Sequence, residues 1–265
     1  MFELAHDVQG AGEPLLLIHG MGSSRRAWKL IVPELSRTFK VITVDLPGHG
    51  ESPLPPGCAM DPESLARFLL EQMSNWGYET FHVAGNSLGG WIALEMASSH
   101  PQRISSVTAI APAGLWLVPE SKRETLGALS RYMASSTHIV APQLLKYRWA
   151  KKLGFGMVSP QWESLPLDIC IDAAKAMGTS RGYFPAWDAM LGKRFDKEIS
   201  PQVPVTILFG DSDNTLPARY SQERSLVPAH SRWVVLSASG HAPMWDRAPE
   251  VIAEILETTS RANWA

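Results

Sequence analysis

The chain has 265 residues, of which 45% are hydrophobic and 19% charged, and its formal net charge is −2. This composition is typical of a folded globular protein and excludes collagen-like or disordered chains. A charge so close to zero gives no general attraction to nucleic acid or to an anionic membrane, and no apolar run approaches the roughly 18 residues that span a bilayer.

The cysteine usage and the N-terminus both favour a cytoplasmic protein. Cys58 and Cys170 are the two cysteines of the chain and lie far apart, which disfavours a disulfide framework and a thiolate metal site. The first seven residues carry acids where a secretory signal carries Lys or Arg. We therefore expect a soluble, cytoplasmic protein that binds neither nucleic acid nor membrane and uses no metal or cofactor. The sequence leaves its oligomeric state open.

Strand-like and helix-like segments alternate along most of the chain. Short apolar runs rich in Val and Ile predict buried parallel strands at 15–18, 41–44, 81–84, 107–110, 205–209 and 233–236. Helical patterns lie between them at 27–35, 62–76, 87–99 and 249–259. This alternation predicts an α/β fold, with a mainly parallel sheet covered by helices on both faces.

Residues 114–194 interrupt the alternation, and we call them the cap segment. They show no convincing strand, are rich in aromatic residues and Met, and contain 11 Lys and Arg against 6 Asp and Glu, so their net charge is +5. We predict a helical cap over the carboxyl ends of the strands, inserted into a core domain formed by residues 1–113 and 195–265. Trp116, Met133 and Trp187 are the cap residues expected to line an apolar substrate pocket.

Ser87 is the predicted nucleophile. Gly85-Asn86-Ser87-Leu88-Gly89 matches the G-x-S-x-G pattern and lies between an apolar strand and a helical stretch. A serine on such a sharp turn presents its hydroxyl above the sheet, and the glycines make room for the strained backbone. The following helix directs its first amides at the position of a developing oxyanion. The alternative is an ordinary glycine-rich turn with a capping serine.

His241 is the predicted general base, because a serine hydroxyl attacks efficiently only when a base removes its proton. It follows the last predicted strand, in a loop at the strand's carboxyl end, where a parallel sheet gathers its catalytic groups. The other histidines are expected at the surface, in packing or in shaping the backbone: His6, His19, His49, His82, His100, His138 and His230. An acid must then fix the tautomer of the base, and Asp211 and Asp213 both follow the strand at 205–209.

Five motifs, in this order, resemble those of the α/β-hydrolase superfamily of serine hydrolases: 19–22, 45–52, 85–90, 210–213 and 240–241. The resemblance covers nearly the whole chain and implies an α/β-hydrolase fold with a Ser-Asp-His triad. It places the acid at the fourth position of the Gly210–Asp213 turn, which favours Asp213 and leaves Asp211 as a turn residue. The oxyanion hole is then expected from the backbone N–H groups of Leu88 and Met21.

The same catalytic groups are compatible with more than one reaction. We expect hydrolysis of carboxylic esters of small, mostly apolar substrates through an acyl-enzyme. Trp245, also expected at the pocket, and Asn86 resemble features of meta-cleavage-product hydrolases, which cleave a carbon–carbon bond in dienoic acids and hold the acid group with a cation. Arg148 and Arg181 are the candidates for that cation. A non-enzymatic small-molecule receptor on the same scaffold is the third alternative.

Overall fold

Seven strands form one sheet in the computed structural model, which describes residues 2–262, with the backbone alone for Leu126. The strands are β1 (His6–Gln9), β2 (Pro14–Ile18), β3 (Lys40–Val44), β4 (Phe81–Asn86), β5 (Ile104–Ile110), β6 (Val205–Gly210) and β7 (Arg232–Leu236). Their spatial order is β1-β3-β2-β4-β5-β6-β7, and all neighbours are parallel except β1 and β3. The predicted, mainly parallel α/β sheet is confirmed.

Strand β1 is the strand that the sequence pattern missed. Its residues read His6-Asp7-Val8-Gln9 and are half-buried or exposed, so no apolar run marks it. Backbone pairing with β3, from His6 opposite Val44 to Gln9 opposite Val41, defines this strand. Strand β2 shows the contrast. Leu16 and Ile18 pack into the apolar layer on one face of the sheet, while Leu15 and Leu17 pack into the layer on the other, which explains its continuous apolar run.

Helices surround the sheet and fill most of the connections. They are α1 (Val32–Leu35), α2 (Pro62–Asn75), α3 (Leu88–Ser99), α4 (Thr125–Thr137), α5 (Ala141–Leu144), α6 (Arg148–Phe155), α7 (Leu167–Thr179), α8 (Tyr183–Met190), α9 (Ala218–Ser221), α10 (Pro243–Asp246) and α11 (Ala248–Ala262). The single helix predicted at 27–35 is wrong. A 3₁₀ turn at Arg25–Trp28 is followed by the separate α1, because Pro33 has no N–H to continue the earlier turn and favours a new helix start.

The cap segment contains α4 to α8 and, in the part of the chain that the structure describes, no strand. It leaves and rejoins the sheet region at one place, because the Phe195 N–H donates to the Gly114 carbonyl at 2.9 Å. Its helices lie against loops that follow the carboxyl ends of the strands: Gly182 N–H donates to the Gly48 carbonyl beyond β3 at 2.9 Å. The division into two domains stays a prediction, and residues 1 and 263–265 of the predicted core lie outside the described residues.

Candidate active site

Ser87 occupies a strained turn between β4 and α3. Its φ is 56° and its ψ −118°, a conformation that costs a non-glycine residue of order 1–3 kcal/mol and that the surroundings must hold in place. Its N–H donates to the Ile110 carbonyl at 2.9 Å, and its carbonyl accepts from Trp91 and Ala113. Ser87 is half-buried, and its hydroxyl forms no hydrogen bond with any described residue, so its proton is uncommitted.

Glycines allow this turn to approach the neighbouring loop. A Cβ on Gly89 would lie 2.1 Å from the Ile18 carbonyl oxygen, and one on Gly85 would lie 2.1 Å from the Gly89 oxygen. A Cβ on Gly20 would lie 3.0 Å from the Ser87 Cβ, so the loop after β2 runs directly beside the serine. The glycines that the G-x-S-x-G pattern requires therefore have a steric reason in this chain.

Asp213 and His241 form a buried pair. The Nδ1 of His241 donates to Oδ2 of Asp213 at 2.9 Å, and the Asp213 side chain is fully buried. Burial alone would raise the pKa of Asp213. The neighbouring His241 and the N–H groups of Leu216 and Thr215 outweigh it and hold the pKa below its usual value. The ionised carboxylate only accepts hydrogen bonds, so in a neutral imidazole the proton lies on Nδ1 and the lone pair on Nε2.

Asp211, the other candidate acid, has a different environment. Its Oδ1 accepts from the Ser212 hydroxyl at 2.8 Å and from the Ser239 N–H at 3.4 Å, and the side chain is exposed. These bonds close the turn after β6 onto the loop after β7. The hydrogen bond to the His241 ring belongs to Asp213, and the role of Asp213 as the catalytic acid stays a prediction.

Asn86 joins the serine turn to the histidine loop, a role that the sequence analysis missed. Its Nδ2 donates to the His241 carbonyl at 3.0 Å and to the Ile110 carbonyl at 3.2 Å. Since Asn86 precedes Ser87 directly, the amide fixes the backbone of the predicted base relative to the strand end that carries the predicted nucleophile. A polar residue inside a G-x-S-x-G pattern, at the buried end of a strand, was the available signal.

Leu88 and Met21 are the two residues predicted to supply the oxyanion donors. Leu88 is the first residue of α3, whose leading N–H groups have no partner within the helix. Met21 lies in the loop after β2 and follows Gly20, where a Cβ would lie 3.0 Å from the Ser87 Cβ. Neither N–H donates to an acceptor among residues 2–262. The oxyanion role of both N–H groups stays a prediction.

Two cap residues, Met177 and Tyr183, contact the loop after β2 that carries Met21. Gly22 has a φ of 74°, and a Cβ there would lie 2.7 Å from the Met177 sulfur and 2.9 Å from the Tyr183 ring. Tyr183 is buried, its hydroxyl donates to the Gly127 carbonyl at 3.3 Å, and burial raises its pKa to about 12. The helical pattern of the cap segment did not distinguish either residue from other apolar positions.

The four predicted pocket residues are placed differently from one another. Trp116 is buried edge-on against Trp91 and donates Nε1 to the Lys193 carbonyl at 2.8 Å. Trp187 is buried beside Tyr183, whereas 43% of Met133 is exposed.

Trp245 packs against Phe155 and donates Nε1 to the Ala27 carbonyl at 2.9 Å. These contacts describe packing, and a pocket-lining role stays a prediction for each of the four.

Both candidate cations for an acid group are exposed. Arg148 pairs with Glu163 at the outer surface of the cap, with 76% of its side chain exposed, and Arg181 is exposed. Arg131, on α4, is instead turned inward: its Nη2 donates to the Ser180 carbonyl at 2.9 Å, and its buried Nε has no partner within residues 2–262. The sequence analysis did not single out this residue.

The described residues show neither a metal-ligand cluster nor a membrane-spanning helix. No group of three or more His, Cys, Asp or Glu side chains lies close enough together there to hold a metal ion. None of the described helices has both the length and the apolar character needed to cross a membrane.

Comparisons with known proteins agree with this architecture. Residues 13–248 match the family model described as alpha/beta hydrolase fold, which confirms the resemblance predicted from the sequence motifs. Pimeloyl-[acyl-carrier protein] methyl ester esterase of Neisseria meningitidis is 28% identical over 243 residues, which cover 90% of each chain.

Solved structures give the same result at the level of the fold. A hydrolase from Pseudomonas aeruginosa superposes with a TM-score of 0.74 at 22% identity, covering 96% of this chain and 93% of that one. A meta-cleavage product hydrolase from Pseudomonas fluorescens superposes with a TM-score of 0.73 at 18% identity, covering 98% of this chain and 95% of that one. At these identities the likeness concerns the fold alone.

Proposed function

Because the chain belongs to the α/β-hydrolase family, we propose that it is a serine esterase in which Ser87 is the nucleophile, His241 the general base and Asp213 the acid. The observation that carries the proposal is the 2.9 Å hydrogen bond from His241 Nδ1 to the buried Asp213 carboxylate, at the sheet edge where Ser87 holds its strained turn. The bond leaves Nε2 able to take a proton, and a base held in this tautomer is what an uncommitted serine hydroxyl requires.

The proposed reaction proceeds through an acyl-enzyme. The Ser87 oxygen bonds to the ester carbonyl carbon while His241 Nε2 takes the hydroxyl proton, and the N–H groups of Leu88 and Met21 stabilise the resulting oxyanion. The intermediate collapses, and the alcohol leaves with the proton from His241. A water molecule then gives a proton to His241 and attacks the acyl carbon, which releases the carboxylic acid and restores Ser87.

Ester hydrolysis is favoured over carbon–carbon cleavage by two observations. The relative from Neisseria meningitidis is named as a methyl ester esterase and covers nine-tenths of this chain. A dienoic acid would also bring a carboxylate under the cap, where an unpaired charge is costly, and Arg148 and Arg181 both lie at the outer surface. The inward-turned Arg131 is the observation that keeps carbon–carbon hydrolysis as the second candidate.

Replacement of Ser87 tests the proposal. We expect the wild-type protein to hydrolyse short- to medium-chain aryl esters and Ser87→Ala to lose at least ~10³-fold in kcat, because covalent catalysis is removed. Ser130→Ala, at an exposed serine of the cap, is the matched control and should keep wild-type kcat. Both variants should unfold near the wild-type temperature.

Two results would overturn the proposal. If Ser87→Ala keeps more than a tenth of wild-type ester hydrolysis, the nucleophile is assigned wrongly. If the folded wild-type protein turns over no aryl ester and no dienoic acid, the scaffold serves as a receptor and the esterase proposal fails.

A further inference from the structure

The loop that carries His241 is held at three successive backbone groups. The Gly240 N–H donates to Oδ2 of Asp246 at 2.8 Å, and the His241 N–H donates to the Val158 carbonyl at 2.7 Å. The His241 carbonyl accepts from Asn86 at 3.0 Å. Asn86 belongs to the sheet, but the other two partners connect this loop to the cap segment.

The cap residues 158–161 contact the same loop through side chains. The Ser159 hydroxyl donates to Oδ1 of Asp246, so one carboxylate joins the cap to Gly240. Gln161 Nε2 donates to the Ala238 carbonyl at 2.9 Å and to the Asp246 carbonyl at 3.2 Å. We call Ser159, Gln161 and Asp246, with the Val158 carbonyl, the histidine clamp.

The clamp depends on close backbone approach. A Cβ on Gly240 would lie 2.2 Å from the Val158 carbonyl oxygen, so a side chain there would displace the cap segment from the loop. Ala238 holds a φ of 53°, a left-handed conformation that favours glycine, and its carbonyl is the one that Gln161 binds. The contact between the cap and the segment just before His241 thus involves a strained residue, Ala238, and a glycine, Gly240.

Asp246 is half-buried between the histidine loop and the cap. This partial burial raises its pKa, and the hydrogen bonds from Ser159 and Gly240 offset only part of the change. A carboxyl group that accepts one bond from the cap and one from the histidine loop orients both segments, whereas an apolar residue of similar size would hold neither.

We propose that Asp246 is a positioning residue of the reaction, and that the cap fixes the general base through the Ser159–Asp246–Gly240 connection. The inference rests on the proposed esterase function, in which His241 must lie within hydrogen-bond reach of the Ser87 hydroxyl. In this proposal the cap supports catalysis at two places. Met177 and Tyr183 contact the loop after β2 that carries Met21. The Val158 carbonyl binds the backbone N–H of His241.

Asp246→Asn and Ser159→Ala test the connection. In Asp246→Asn, the amide N–H₂ group faces one of the two donors, the Ser159 hydroxyl or the Gly240 N–H, and cannot accept from it. In Ser159→Ala, the hydroxyl that binds Asp246 is absent. Each variant therefore breaks the Ser159–Asp246–Gly240 connection. Because a displacement of about 1 Å at a catalytic group can cost about 100-fold, we expect kcat on an aryl acetate to fall about 10- to 100-fold, with KM changed less than threefold. Glu250→Gln, which removes a carboxyl group four residues later on α11, is the control and should keep wild-type kcat.

A second readout separates positioning from folding. Diisopropyl fluorophosphate reacts when the Ser87 oxygen bonds to phosphorus, fluoride leaves and His241 takes the hydroxyl proton, so its rate reports the base without an ester substrate. We expect the labelling rate constant of Asp246→Asn and Ser159→Ala to fall by the same factor as kcat. Thermal unfolding should begin well above the assay temperature in both, and the double variant should lose no more than the larger single loss.

The outcomes are separable from those of the esterase proposal. If Ser87→Ala abolishes hydrolysis but both clamp variants keep kcat and labelling within twofold of wild type, the inference is wrong and the esterase proposal stands. The inference is equally wrong if kcat falls only in proportion to the unfolded fraction. If Asp246→Asn does not fold, Ser159→Ala and Gln161→Ala decide the question by the same two readouts. If the wild-type protein neither hydrolyses esters nor labels at Ser87, the esterase proposal itself fails, and this inference with it.

Discussion

The sheet region and the cap segment differ in how their apolar residues are used. Strands β2, β4 and β6 are buried almost throughout, and large side chains such as Trp28 and Trp91 are fully or nearly fully enclosed beside them. In the cap, by contrast, Tyr147, Trp149 and Leu153 expose 60%, 63% and 66% of their surface. The sheet region is a close-packed layered core, and the cap is a thin helical layer with one face in solvent.

The residues of the proposed reaction are also divided between the two regions. Ser87, Asp213 and His241 lie on loops of the sheet region, and short local motifs mark each of them. The cap contributes groups that act on those loops from outside, through Val158, Ser159 and the ring of Tyr183. The difference teaches that the proposed reactive groups lie at the strand ends, where short motifs predict them. The cap residues that contact their loops belong to a segment with a weaker sequence pattern.

Asp213→Asn should produce the largest effect on the sheet side. An amide favours the wrong imidazole tautomer, so we expect kcat to fall by up to ~10⁴ without loss of the fold. Asp211→Asn changes the same charge two residues away and should alter kcat less than threefold while lowering the unfolding temperature. Steady-state kinetics of both variants on one aryl ester measures the contrast. Comparable losses of kcat in both variants would contradict the proposal that Asp213, and not Asp211, is the acid.

Tryptophan replacement compares the packing of the two regions directly. Trp28→Ala removes a fully buried side chain and should cost about 3–5 kcal/mol of unfolding free energy, whereas Trp149→Ala, at 63% exposure, should stay within about 0.5 kcal/mol of wild type. Urea unfolding of the two variants gives both values. A loss above about 2 kcal/mol at Trp149 would show that the cap face is covered in solution.

The kcat/KM values for esters and for dienoic acids should differ by about a factor of ten or more. Because Arg148 and Arg181 lie outside, we expect kcat/KM for the best aryl ester to exceed that for any dienoic carbon–carbon substrate by at least an order of magnitude. Arg131→Met should leave ester turnover within a few-fold of wild type. A dienoic acid hydrolysed faster than every ester, with that activity lost in Arg131→Met, would establish the second candidate instead.

His49 should make a smaller contribution, which appears as a pH dependence of stability. Its side chain is buried, and burial, then the nearby His19, lowers its pKa to about 3. The unfolded chain takes up this proton below about pH 6.5 and the folded chain does not, so stability is full above that pH. It falls as the pH drops toward 3, with a slope of up to about 1.4 kcal/mol per pH unit from this one group.

The control for this prediction keeps the rest of the titration unchanged. His49→Asn retains a donor for the Pro47 carbonyl and should flatten the loss of unfolding free energy between about pH 6.5 and pH 4.5, measured by urea unfolding. Equal slopes in wild type and His49→Asn would contradict the assignment. His19, whose pKa burial also lowers, accounts for part of the slope that remains.

Local pattern was sufficient wherever the structure depends on neighbours in sequence. Six strands were predicted from apolar runs, because parallel strands buried on both faces have few polar positions. Helix α2 begins at the predicted residue 62, directly after Asp61, whose side chain accepts from the Ser64 N–H at 3.1 Å. Ser87 and His241 were proposed for the same reason: each belongs to a short motif in the segment that follows a strand. Strand β1 has no such run and was missed.

Contacts between distant segments could not be predicted in this way. Asn86 and His241 are separated by 155 positions, and Ser159 and Asp246 by 87, yet each pair is joined by one hydrogen bond. A lone serine or aspartate in a polar loop carries no local signal of such a partner. The inward orientation of Arg131 depends in the same way on how α4 packs against the chain near Ser180.

The hydrogen bond between Phe195 and Gly114 has a consequence for how such a chain can diversify. An insertion whose two ends already meet imposes no strain on the host when its length changes, because each doubling of a closed loop costs only about 0.6 kcal/mol. We therefore expect that exchange of the whole cap at this junction imposes little strain on the sheet region. A grafted cap that lacks counterparts of Val158 and Ser159 would dock on an intact sheet and still leave the histidine loop without its outer support.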